Sequence, residues 1–350
     1  MLILALLQLG AWSLGPFSRN GIINPILGPN PKSSFPCPMR KAPVLWEHDH
    51  VFNPAAIARN GKVYLLYRAE DNNGSGIGGH TSRIGLAFSD DGIHFDKRKV
   101  PVLFPAKDVG KPYEWPGGCE DPRVVQSPNG DYVMTYTGWN RKVAHLCVAT
   151  SKDLIHWTKR GPAFAKATFA AMWSKSGSIV TKIDHGRPIA AKIDGKYWMY
   201  WGERTLNLAS SPNLIDWTPT FGPGQNLLGV LTTRPGKFDS GLVEPGPPAL
   251  LTKQGIVLIY NGMNADKDGD KTVGPGTYAA GQVLFDTHHP DRILKRCETY
   301  FLKPEGGTER TGQYRAGTVF TEGLALFKGK WFLYYGAADS YVGVAVAGGH

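Results

Sequence analysis

Leu146-Cys147-Val148-Ala149-Thr150-Ser151-Lys152-Asp153-Leu154-Ile155-His156-Trp157 is an apolar strand that breaks into a polar turn and ends on an aromatic residue. The same order stands earlier as Ile84-Gly85-Leu86-Ala87-Phe88-Ser89-Asp90-Asp91-Gly92-Ile93-His94-Phe95. It returns as Leu206-Asn207-Leu208-Ala209-Ser210-Ser211-Pro212-Asn213-Leu214-Ile215-Asp216-Trp217. Gly281-Gln282-Val283-Leu284-Phe285-Asp286 and Val342-Gly343-Val344-Ala345-Val346 are shorter, later copies. Each copy follows an aromatic, β-branched strand: Lys62–Arg68, Asp131–Thr137, Lys196–Trp201, Ile256–Asn261 and Trp331–Gly336. The period is roughly 60–75 residues, which suits four-stranded units carrying insertions. One such sheet is too small to bury both faces, so the units must pack face to face around an axis. The expected fold is therefore all-β, a five-bladed β-propeller, with residues 16–350 forming a single domain. A β-sandwich would leave the recurring Ser-x-Asn/Asp-Leu-Ile-x-Trp turns unexplained.

The rest of the chain agrees with that reading. Its 350 residues include 43 glycines and 26 prolines, and no long segment has helical periodicity. The net charge is +10, but the cations are scattered rather than gathered into Lys/Arg blocks, so no nucleic-acid partner is implied. The excess attracts anions such as phosphate or an acidic glycan, or simply solvates the surface. Residues 1–15 contain an apolar run, Met1 to Ser13, that ends in an Ala-x-Ser pattern. It resembles a secretory signal without its basic start, and otherwise reads as an N-terminal strand. The expectation is export, periplasmic or secreted, and otherwise a cytoplasmic protein. No run is long enough to span a bilayer. Cys37, Cys119, Cys147 and Cys297 form no Cys-x-x-Cys pair, so neither a metal site nor a disulfide framework is assigned.

Radial packing brings equivalent positions of different repeats to one funnel. The polar residues flanking the repeated strands are Asn53, Arg68 and Asp71; Glu120, Asp121, Arg123 and Arg141; Lys175 and Glu203; Asp239 and Glu244; and Asp339. Asp121 stands out, in Pro116-Gly117-Gly118-Cys119-Glu120-Asp121-Pro122-Arg123. Pro122 is expected to push it towards an extended conformation, and a stiffly held carboxylate suits acid–base work. Some of these residues must instead satisfy backbone donors in turns.

Five ordered motifs carry a family resemblance: Asn53-Pro54-Ala55, Leu66-Tyr67-Arg68-Ala69-Glu70-Asp71, Glu120-Asp121-Pro122-Arg123, Gly246-Pro247-Pro248 and Tyr335-Gly336-Ala337-Ala338-Asp339. With them the chain resembles glycoside hydrolase family 130, propeller enzymes that break β-mannosidic bonds by phosphorolysis or hydrolysis. The resemblance implies Asp121 as proton donor, acting through a hydroxyl of the bound mannose. It implies sugar binding by Asp339; Asn53, Asp71, Glu120, Arg123 and Asp239, polar residues flanking the repeated strands, are the further candidates for binding substrate. In phosphorylase members, inorganic phosphate is the co-substrate, held here by Arg68, Arg141 and Lys175; no other cofactor is implied. Hydrolysis instead needs a carboxylate base, and Glu244 and Glu203 are the candidates. Val243-Glu244-Pro245 precedes Gly246-Pro247-Pro248, where the phosphorylase pattern has small residues. The expectation is therefore an inverting hydrolase of oligosaccharides, with Asp121 as acid and Glu244, assisted or replaced by Glu203, as base. The alternatives are a phosphorylase releasing mannose 1-phosphate and a non-catalytic glycan-binding propeller. A further alternative is a related donor sugar. Trp115, Trp139, Trp173 and Trp201 are candidates for sugar stacking or for core.

Overall fold

The computed structural model describes residues 12–185 and 187–348. The signal-like run lies almost wholly outside the described residues. Among those residues the regular structure is nearly all strand, with one helical turn at Lys111–Glu114 and three short 3-10 turns. No helix there is long and apolar enough to cross a membrane.

Five antiparallel meanders follow one another along the described chain. The first runs His50–Arg59, Lys62–Glu70, Ser82–Ser89 and Asp96–Lys97, and the second runs Gly118–Gln126, Tyr132–Trp139, Ala144–Ser151 and Trp157–Pro162. The third is built on Ser178–Ile179, Lys196–Trp201, Thr205–Ser211 and Thr218–Pro219. Leu242–Pro245 and Leu250–Leu251 open the fourth, which continues through Ile256–Met263, Tyr278–Phe285 and Ile293–Arg296. The fifth comprises Val319–Phe327, Lys330–Ala337 and Tyr341–Gly348. Its outer edge is met by the N-terminal stretch, through antiparallel bridges of Ser18 to Val346 and Leu27 to Val342. The two ends of the chain thus cover what would be an open sheet edge.

Strand alternation explains how the meanders hold together. In Lys62–Glu70, Val63, Leu65 and Tyr67 enter one core with Phe332 and Tyr334 of the fifth meander. Leu66 points the other way, into a core with Met134 and Tyr136 of the second. Further cores join second to third through Val148 and Met199, third to fourth through Leu208 and Leu258, and fourth to fifth through Ile259 and Leu333. Each junction between consecutive meanders, the fifth-to-first included, therefore has its own apolar core. The opening strand His50–Arg59 also packs against the opening strands Gly118–Gln126 and Val319–Phe327.

The repeated turns have a repeated physical cause. Ser151 Oγ accepts the backbone N–H groups of Asp153 and Leu154, while Asp153 Oδ1 accepts those of Ile155 and His156. Ser211 with Asn213, and Ser89 with Asp91, make the same bonds. The pivot is left-handed in all three, with φ of 70° at Leu154, 70° at Leu214 and 84° at Gly92. Side-chain oxygens thus satisfy donors that the turn removes from the ladder.

Candidate active site

Opening strands carry the site because they bulge at the same place. Asn53 is the extra residue between Phe52 and Pro54, with φ 46°, and Asp121 lies in the shift between Glu120 and Arg123, with φ 48°. The expectation that Pro122 holds Asp121 extended is thus wrong. The bulge places Asp121 in the left-handed region and turns its side chain away from the ladder. Asn53 Nδ2 donates to Asp121 Oδ1 at 2.9 Å. Gly336 makes this approach possible, since a Cβ there would lie 2.0 Å from Asn53 Oδ1.

Arg68 ties the first two meanders together at this point. Its guanidinium donates to Glu70 at 2.6 Å, Glu120 at 3.0 Å and Asp121 at 3.2 Å, and its Nε donates to Ser82 Oγ at 3.1 Å. Burial pushes the Glu120 carboxyl well up, with Arg68 opposing and Asp121 adding repulsion. For Asp121 burial acts the same way but loses to Arg68, Lys175 and the Asn53 hydrogen bond, and its carboxyl is held low. Neighbouring carboxylates in one desolvated site cannot both ionise freely, so the pair keeps a proton to higher pH than a free carboxyl would. Burial also raises Asp339, to about 7.

Lys175 faces this cluster and binds Glu244 Oε1 at 3.2 Å and Glu203 Oε2 at 3.6 Å. Ser176, itself left-handed at φ 55°, donates from Oγ to Glu244 Oε1 in a very short contact. Burial raises the Glu244 carboxyl, with Lys175 the main opposing influence. Asn53, Arg68, Glu120, Asp121, Lys175, Glu244 and Asp339 all line one cavity. Its aromatic walls are Trp139 with Trp173, rings 5.8 Å apart and edge-on, and Tyr278 packed on Tyr314 and Phe320.

The other expected site residues are placed elsewhere. Asp71 is fully buried against Arg83 at 2.9 Å, because period-two alternation sends Arg68 and Glu70 to the cavity side and Asp71 away from it. Arg123 is a brace: it donates to the carbonyls of Gly246, Pro245 and Asp121 and pairs with buried Glu322 at 3.3 Å. Asp239 is sealed between Arg234 and Arg296 and accepts the Tyr260 hydroxyl. Arg141 reaches the carbonyls of Gly79 and His80 rather than the cavity. Glu203 touches the site only through Lys175. Trp201 is core, 4.6 Å from Phe164, and Trp115 lies under Lys111 outside the cavity lining. Sequence reasoning missed Glu70, Ser176 and the tyrosine wall. Glu70 was findable from its spacing to Arg68; Ser176 and the tyrosines carry no local signal.

Carboxyl groups that burial and nearby cations push in opposite directions, within one aromatic-walled pocket, meet the chemical demand of glycosidic bond cleavage and point to the carbohydrate-active enzymes. The family model described as β-1,4-mannooligosaccharide phosphorylase matches residues 31–348, and the chain belongs to that family, glycoside hydrolase family 130. A 1,2-β-oligomannan phosphorylase of Thermoanaerobacter sp. (strain X514) is 33% identical over 319 residues, covering 90% of this chain and 95% of the relative. A glycosyl hydrolase structure from Bacteroides ovatus is 50% identical with a TM-score of 0.94, covering 97% of this chain and 95% of that one. A further structure, 50% identical with a TM-score of 0.95, covers 97% of this chain and 95% of its own. It comes from work on GH130 glycoside hydrolases that target β-1,2 mannosidic linkages in Candida mannan.

Proposed function

We propose that the protein is an inverting β-mannoside hydrolase acting on β-1,2-linked mannooligosaccharides, on a five-bladed β-propeller. The observation that carries hydrolysis is that both cations of the cavity wall, Arg68 and Lys175, are held by its carboxyl groups, Arg68 by Glu120 and Asp121 and Lys175 by Glu244. Both cations are already engaged by carboxylates, and Arg141, the third member of an expected phosphate clamp, is spent on backbone carbonyls. A phosphate dianion would have to displace carboxyl partners from both cations, whereas water needs only a base. The solved relatives at 50% identity favour the same reading and the β-1,2 linkage. Five meanders with a core at each junction, the fifth-to-first included, favour the propeller and a single domain.

In this mechanism Glu244 takes a proton from the attacking water, with Lys175 and Ser176 fixing its orientation. Asp121 delivers to the leaving oxygen, directly or through a sugar hydroxyl, the proton that it and Glu120 share as a coupled pair. Water attacks the face opposite the leaving group, so a β-linked mannose is released in the α form. Asp339 and Asn53 stand where sugar hydroxyls would be bound, and Trp139 and Trp173 offer faces for stacking. The second reading, phosphorolysis, is favoured by the named phosphorylase at 33% identity and by the buried cations.

The test is to incubate the protein with β-1,2-mannobiose with and without inorganic phosphate and to follow products by anion-exchange chromatography and proton NMR. Free α-mannose formed at a rate independent of phosphate is expected. Phosphate-dependent mannose 1-phosphate would overturn hydrolysis and make Arg68 and Lys175 the phosphate site.

A further inference from the structure

His50, Glu70 and His80 each present one ligand atom to a common point, all within 4.8 Å of one another. None of the three lines the catalytic cavity, and no role in glycoside cleavage falls to the two histidines. They are scattered in sequence but meet because His50 and Glu70 are directly paired at the ends of neighbouring strands, His50–Arg59 and Lys62–Glu70. His80 is returned to them by the loop that leaves Glu70.

We propose that these three residues form a binding site for a divalent first-row transition metal, of which Zn²⁺ is the representative. His80 is 3% exposed, and its Nδ1 lies 2.7 Å from the backbone carbonyl of Asp71. A carbonyl can only accept, so Nδ1 carries the proton in the neutral ring and Nε2 is left with a bare lone pair. That Nε2 is buried and has no hydrogen-bond partner. An unsatisfied buried acceptor is costly, and a cation is the partner that satisfies it while matching its chemistry. The arrangement also supplies the outer contacts that metal-binding histidines use. The Asp71 carbonyl fixes the His80 tautomer, and Ser340 Oγ, 2.8 Å from His50 Nδ1, is able to accept an N–H there, the tautomer that gives the metal the other nitrogen. Glu70 is anchored through Oε1 by Arg68, while Oε2 accepts the Gln313 amide at 3.0 Å and keeps a lone pair available.

Two imidazoles and one carboxylate are the donor set of open zinc sites, with water in the fourth position, and of other first-row metals with similar tastes. Metal–ligand bonds of about 2.1 Å bring tetrahedral donors to roughly 3.4 Å, so binding draws the trio inward, chiefly by rotation of half-buried His50. The metal would pin the Asp71–His80 loop to the first meander. That loop supplies Ile77 and Gly78 to the catalytic cavity. The role is thus to position a cavity wall, without contact to substrate.

The experiment uses untagged full-length protein stripped with chelator and titrated with Zn²⁺ by calorimetry, beside His80→Gln and His50→Gln. One Zn²⁺ per chain is expected, with a raised thermal midpoint and at least tenfold weaker binding in each variant. Surface pairs such as Asp91 with His94 and Asp153 with His156 are the adventitious competitors, and they are intact in both variants. Zn²⁺ binding that is absent, or unchanged by either substitution, overturns the site. Should the variants not fold, X-ray absorption on the Zn²⁺-loaded unmutated protein decides: scattering from two imidazoles supports the site, and from none or one overturns it.

Discussion

Replacing Glu244 by Gln is the substitution that separates hydrolysis from phosphorolysis. The side chain is 3% exposed, accepts from Ser176 and pairs with Lys175 at 3.2 Å. The amide keeps the volume and an acceptor for Ser176, and Lys175 retains Glu203, so the fold should survive with a thermal midpoint within a few degrees of the parent. What disappears is the capacity to take a proton from water. General base catalysis contributes roughly 10²–10⁴-fold, equivalent to about 2.7–5.4 kcal/mol of barrier. The assay is initial-rate release of mannose from β-1,2-mannobiose, with KM and kcat separated. The loss should fall in kcat, because the proton moves only in the transition state. Azide, a nucleophile that needs no base, should restore part of the rate and give the α-mannosyl azide. Near-parent kcat in a folded Glu244→Gln variant would refute the assignment. Such a result together with a strong defect in Glu203→Gln would move the base to Glu203.

Other expectations follow from the same geometry. Asp121→Asn can still accept from Asn53 and Arg68, so stability should change little while kcat falls roughly 10²–10⁴-fold on an unactivated mannoside; parent-like turnover would point to Glu120 as the acid. The pH profile of kcat/KM should be narrow. Burial raises Glu244, so the acid limb, where the base becomes protonated, should lie above the ordinary carboxylate range, and the alkaline limb should mark loss of the proton held by Glu120 with Asp121. A flat profile down to the usual carboxylate range would contradict this. Gly336→Ala places a methyl 2.0 Å from Asn53 Oδ1 and should cost about 1–3 kcal/mol in denaturant unfolding as well as turnover, since Asn53 holds Asp121. Arg123→Met removes the donor to the Gly246, Pro245 and Asp121 carbonyls and to Glu322, whose carboxyl burial already raises well above the ordinary range, and should cost about 1–3 kcal/mol for buried acceptors left unpaired, read as an earlier urea midpoint.

Much of the architecture was legible in the chain because strands advertise themselves locally. Alternation, aromatic strands and the Ser-x-Asn/Asp-Leu-Ile-x-Trp turns depend on neighbours a few residues away, so five repeats could be counted from sequence. The stiff Glu120-Asp121-Pro122 stretch likewise marked residues of the cavity wall. Which polar residues share a cavity was decided by tertiary structure. Arg68 and Asp71 are three residues apart, yet a two-residue pleat puts them on opposite sides. Arg123, Arg141 and Asp239 look like ligands for sugar or phosphate in one dimension and are consumed by carbonyls or buried counter-charges in three. The left-handed bulge at Asp121 also escaped local reasoning, since Pro122 favours the opposite conformation and only pairing with Tyr132–Trp139 imposes the extra residue. Protonation states belong to the fold alone. Glu120 and Asp121 are adjacent carboxylates in sequence, and the burial of one and the cations gathered around the other, brought from separate meanders, drive them apart.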